Sequence, residues 1–341
     1  MSAAFKVIAD IRRNMDSAEV IGWTRVGVLF LALGLAAWMD HKNRRVPNQF
    51  WITWAKPAIF LWVIDLMNQE APWYTYATAA GIVAYASIAI IGRPTIHDLL
   101  QGKTLDISVF IWYLVGLVGI VQGASLHALE GPLPALLGDA DTQATLWWST
   151  VAVGLPILLV DFAWRLRLIH GGADCKGLMW IAILVPTWSS IPIFYPDSLE
   201  SSVISLPPAI AILVWGGAAF LVLPIIMTIR NLMDGVAGPL RLIWHAERMH
   251  IDVVEKKHVW LLTTVADMPN GEMKVIHRTR APSRTPTSEE LAQRITKLKE
   301  MEVEQVWVTR KFPLLVFLWP ALIPFMLVGG PMAYIMPILG L

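Results

Sequence analysis

Eight stretches of this chain are apolar for about 20 residues with few charges, the length a helix needs to cross a hydrocarbon core about 30 Å thick at about 1.5 Å per residue. They run from Val20 to Met39, Gln49 to Met67, Trp73 to Ile91, Ile107 to Ser125, Leu146 to Trp164, Leu178 to Phe194, Ser205 to Thr228 and Phe312 to Met332. With 56% of its 341 residues apolar and 16% charged, the chain is expected to be an all-α polytopic membrane protein of about eight transmembrane helices. Many of its 17 tryptophans stand at the edges of these runs, where an amphipathic ring has one wet and one apolar side. Arg25 interrupts the first run and is expected to snorkel to the near interface, as is Lys56 in the second.

The connecting segments alternate in charge. His41–Val46, Gly92–Asp106, Arg165–Lys176 and the long stretch from Ile229 to Lys311 hold almost all the lysines and arginines. Asn68–Pro72, His127–Ala144 and Tyr195–Ile204 hold none, and carry acids such as Glu70, Glu130 and Asp197. Excess Lys and Arg on one side marks the cytoplasmic face, so the first set is expected there. The N-terminal segment falls outside by this count despite Lys6, Arg12 and Arg13. Its mixed charged and apolar composition has no signal-peptide pattern.

The organisation expected is a seven-span core over residues 1–228, a small cytoplasmic α+β domain over 229–311, and a last helix over 312–341. Within the domain, candidate strands His258–Val265 and Met273–Thr279 flank an Asn270-Gly271 turn. Thr287 with Glu290 makes a capping box for a helix to about Met301, and Glu304–Thr309 reads as a final strand.

Lysine and arginine total 27 against 26 acids, so no basic field points to nucleic acid. One cysteine, Cys175, excludes an internal disulfide and a four-cysteine zinc site. His245, His250 and His258 match no common zinc spacing, and neither a metal nor a cofactor is expected.

Ionisable groups at membrane ends are functional candidates by default. Asp65, beside Asn68 and Glu70, reads as a solvated outer end, and Asp161 is four residues before Arg165, the spacing of a helical ion pair. Asp40 and Asp174 stand apart. Each bounds a run on the same expected face, Asp40 ahead of a basic turn through Arg45-Val46-Pro47-Asn48 and Asp174 within Gly171-Gly172-Ala173-Asp174-Cys175-Lys176. Two carboxylates brought together can hold one proton between them, and such a pair can activate water against a peptide carbonyl.

These two motifs together resemble the type IV prepilin peptidase family of GxGD aspartyl proteases. The likeness extends to its archaeal branch, the preflagellin and prepilin peptidases, through Lys257-His258-Val259-Trp260-Leu261 and Gln305–Pro313. Alanine stands at residue 173 in place of the motif's second glycine, and four runs rather than fewer lie between the aspartates. The resemblance implies an endopeptidase in the cell membrane, working at its cytoplasmic face. It would remove short basic leaders from pilin-like or archaellin-like precursors without methylating the new N-terminus. It implies Asp40 and Asp174 as the catalytic pair, with Gly171, Gly172, Ala173, Lys176, Pro47 and Asn48 as supporting motif positions. Two alternatives stay open. Pro320-Ala321-Leu322 resembles the PAL motif of presenilin and signal peptide peptidase proteases, which cut within the bilayer. A transporter or assembly subunit would instead use Asp40, Asp161 and Asp174 for ion coupling or helix pairing.

Overall fold

A computed structural model describes residues 17–132, 134, 141–169, 171–194, 206–235, 239–255, 257–268, 272–282, 286–332 and 334. His170, the Pro269-Asn270-Gly271 turn and the charged N-terminal residues up to Asp16 lie outside the described residues. The chain is mostly helical. The long helices are α1 (Ser17–Asn43), α2 (Asn48–Asn68), α3 (Trp73–Ala86) continued by the single turn α4 (Ile88–Ile91), α5 (Thr104–His127), α6 (Thr142–Arg165), α7 (Gly172–Leu184) and α8 (Pro208–Met233). Among the strands of the second unit comes α9 (Ser288–Glu300), and after the last of them α10 (Leu315–Val328).

Among the described residues six helical segments are long and apolar enough to cross a membrane: Ala18–Asn43, Asn48–Asn68, Trp73–Ile91, Thr104–His127, Thr142–Arg165 and Pro208–Met233. The two other apolar runs form shorter helices, for local reasons. Helix α7 starts early, at Gly172, and stops at Leu184 because Pro186 has no N–H to give and pushes Val185 out of the helical region, to φ −121° and ψ 75°. The run beyond it is a single 3₁₀ turn, Trp188–Ser190, followed by extended chain. Helix α10 ends at Gly329, whose φ of 74° leaves the helical region.

The chain divides into two compact units, Met1–Gly217 with Pro313–Leu341, and Ala218–Phe312. In the first, α10 packs on α1, α7 packs on α2 and α6, and α3 packs on α5. The α3–α5 approach is backbone to backbone: a Cβ built on Gly81 would lie 2.6 Å from the Gly116 Cα, so the pairing needs glycine, as close helix crossings in membranes do. Helix α7 is buried along nearly its whole length, from Asp174 to Leu184 save for Lys176. It is the element around which this unit closes.

Arg25 does not snorkel. Its side chain is 0% exposed and donates to Asp65 Oδ2 at 3.1 Å, the Leu61 carbonyl at 2.9 Å and the Ser190 carbonyl at 3.3 Å. Asp65, read as a solvated end, is 19% exposed and occupied by this arginine. The partners lie 36, 40 and 165 residues away in sequence, beyond the reach of any local pattern. Lys56 is exposed.

The second unit has a three-stranded antiparallel sheet in the order β1 (Glu247–His250), β5 (Gln305–Arg310), β2 (Val259–Leu261) and a hairpin of β3 (Thr263–Asp267) with β4 (Met273–His277). Alternation along β5 buries Val306 and Val308 with Ile295 and Leu298 of α9. The expected capping box forms, with Thr287 Oγ1 accepting from Glu290 N–H and Glu290 accepting from Thr287 N–H. Glu247 receives both the Nε and Nη2 hydrogens of Arg310, at 2.6 and 3.0 Å, a fork-on-carboxylate pairing that fixes β5 against β1.

Candidate functional site

The end of α1, the start of α2 and the start of α7 come together because α1 and α2 run antiparallel through a four-residue turn. Pro47, with φ −62° and ψ 148°, turns the chain into α2, where its missing N–H costs nothing. Arg44 just before it sits at φ 55°. Asn48, first residue of α2, accepts a 2.7 Å hydrogen bond from Lys176 Nζ of α7 and donates to the Ile90 carbonyl at 3.0 Å. Three of the singled-out positions thus form one joint: Pro47 directs the helix, and Asn48 with Lys176 ties it to α7.

Asp40 and Asp174 are 7% and 8% exposed. They lie on helices that pack against each other, and Asp40 is close enough to act on the charge of Asp174. Their surroundings differ. Asp174 Oδ1 accepts the Leu315 N–H at 3.2 Å, from the first turn of α10. Its Oδ2 is held against Gly171, where a Cβ would lie 2.1 Å from that oxygen and 2.8 Å from Cγ. The Asp40 carboxylate instead has Arg44 within electrostatic reach, and the Arg44 Nε is buried without an acceptor. Asp174 is thus anchored by a backbone N–H, whereas Asp40 has a cation as its neighbour.

The glycines are therefore not equivalent. At Gly172 the nearest atom to a Cβ is Trp164 Cζ2 at 3.9 Å, ordinary contact. Gly171→Ala is expected to leave the fold intact, since the Asp174 side chain can swing away, but to lose its place beside Leu315 N–H. A misplacement of about 1 Å at a reacting group costs about a hundredfold in rate. Gly172→Ala is expected to match wild type. A cleavage assay with thermal unfolding of both variants checks this, and equal activity of the two would contradict it. Ala173 is half-buried, and nothing in the structure gives it a contact with either aspartate.

Asp161, the third carboxylate of this region, is fully engaged. It is bound by Arg165 at the expected spacing, by Arg93 Nη2 at 3.1 Å and by the Tyr85 hydroxyl at 2.7 Å. Asp161→Asn is expected to lower stability by roughly 1–3 kcal/mol, the usual cost of a broken buried hydrogen-bonded charge, while activity per folded molecule stays. Thermal unfolding beside specific activity separates the two.

No protein-family model and no curated protein sequence matches the chain. Among the described residues no three His, Cys, Asp or Glu side chains are grouped to hold a metal ion. The sequence pointed to Asp40, Asp174, their motif neighbours and the basic turn that holds Arg44; it gave no sign of Leu315, 141 residues from Asp174.

Proposed function

We propose that this chain is an aspartyl endopeptidase of the cell membrane that removes short basic leaders from pilin-like or archaellin-like precursors at the cytoplasmic face. What carries the reading is the burial of Asp40 and Asp174 together, within electrostatic reach of each other, at one end of the helical unit. Two carboxylates in that position keep a single proton between them, because double ionisation at close range is costly. The ionised member takes a proton from water as the water oxygen attacks the scissile carbonyl. The protonated member hydrogen-bonds the carbonyl oxygen, and the resulting tetrahedral diol breaks at C–N as a proton passes to the leaving amine. The roles belong to the pair, not to one residue each. The resemblance of residues 40–48 and 171–176 to the prepilin peptidase motifs supplies the substrate class.

The test is co-expression of the full chain with a panel of pilin-like precursors, following mobility on gels and the N-terminus of the product. Cleavage just before the apolar segment supports the reading. A cut within the apolar segment transfers it to the PAL-type alternative. No cleavage of any precursor by well-expressed protein overturns it in favour of a transporter or assembly role.

A further inference from the structure

Two apolar cavities of the helical unit, of about 430 and 570 Å³, share Ile59, Val83, Ser87, Ile91 and Leu105 in their walls and so form one furrow along α2. Its size falls in the range of sites that hold small molecules, about 300–1,000 Å³. Among the described residues, the charged side chains that line it are Lys56 and Lys176, both in the smaller cavity. Arg45 lies near enough to Lys176 for the two cations to repel. Lys176 is hydrogen-bonded to a neutral amide, Asn48, and among the described residues no carboxylate pairs with Arg45, Lys56 or Lys176.

Lys56 is eight residues past Asn48, about 12 Å down α2 at 1.5 Å per residue, and a lysine at that depth is costly unless its ammonium finds an anion or water. A furrow that is apolar along its length and cationic at one end is complementary to a molecule with the opposite arrangement. We infer that the furrow holds one anionic phospholipid, with its phosphate between Lys56, Lys176 and Arg45 and an acyl chain lying along α2 past Ile59 and Leu105. Basic pockets between helices take anionic headgroups in this way. The inference is independent of any chemistry at Asp40 and Asp174.

The full chain in detergent, offered equal amounts of phosphatidylglycerol and phosphatidylcholine with identical acyl chains, tests it by native mass spectrometry. Phosphatidylglycerol should be retained about thirtyfold to a hundred-and-fiftyfold better, the effect of two to three interfacial cations. Lys56→Gln and Lys176→Gln should each reduce that preference about fivefold. Ala55→Leu, which fills the furrow, should lower retention of both lipids alike, and glycerol 3-phosphate, a headgroup without chains, should displace neither. Equal retention of the two lipids by wild type would overturn the inference, as would an unchanged preference in both lysine variants. Displacement by glycerol 3-phosphate would make the site one for a soluble phosphate and equally overturn it.

Discussion

Asp40→Asn and Asp174→Asn should each reduce precursor cleavage by about a hundredfold to ten-thousandfold, the usual contribution of a positioned acid or base. Asparagine keeps the size and most of the hydrogen bonding of aspartate but can neither accept the proton of water nor return one to the amine. In Asp174→Asn the Leu315 N–H can still donate to the oxygen of the new side-chain amide, so the variant should insert and fold as wild type does. The sharper test is the double variant. If the carboxylates work as one proton-sharing unit, removing either already disables it, and Asp40→Asn with Asp174→Asn together should be no worse than one alone. Losses that multiply would mean two separate roles. Full cleavage by either single variant would remove that residue from the chemistry, and if the residue is Asp174, Gly171→Ala should have no consequence for the rate.

What could be read from the sequence was whatever depends on neighbours within a few residues. The apolar runs gave helices, Thr287 and Glu290 gave a cap, and Asp161 met Arg165 across one helical turn; the expected strand His258–Val265 instead divides at Leu262 into β2 and β3 of different sheets, and β1 had no local signal. Helix lengths were less legible: hydropathy counts the residues after Pro186 as apolar without recording that Pro186 ends the hydrogen-bond ladder at Leu184. That break, with the end of α10 at Gly329, leaves six helices of spanning length among the described residues where eight runs were expected. At the candidate site, alternation of the loops placed Asp40 and Asp174 on one side, but their surroundings depend on contacts across the fold. The distinction between Gly171, which fits against a carboxylate, and Gly172, which does not, is invisible in a pair of adjacent glycines. Arg25 is the clearest case, since a charge inside an apolar run reads as an interruption until Asp65, Leu61 and Ser190 are seen around it.

That arginine leads to the second large effect expected. Asp65→Asn would leave a guanidinium at 0% exposure with two carbonyls and no counter-charge, and breaking a buried pair from one side costs about 3–5 kcal/mol. Arg25→Leu should cost less. The carboxylate it abandons is 19% exposed and lines a cavity of about 460 Å³ with Gln69, Thr142, Ser149 and Thr187, so water can approach the orphaned charge. Replacing both, as Arg25→Leu with Asp65→Leu, removes both desolvation penalties at once and should recover most of the loss, because well-packed apolar groups commonly equal a buried ion pair. Thermal unfolding of wild type, Arg25→Leu, Asp65→Leu and the double variant in one detergent reads this as a double-mutant cycle, and purely additive losses would show that the pair carries no coupling. Arg25 lies fifteen residues from Asp40 on the same helix, about 22 Å along its axis. The stability loss should therefore leave the cleavage rate per folded molecule unchanged, separating the charge pair that holds the helices from the carboxylate pair at their other end.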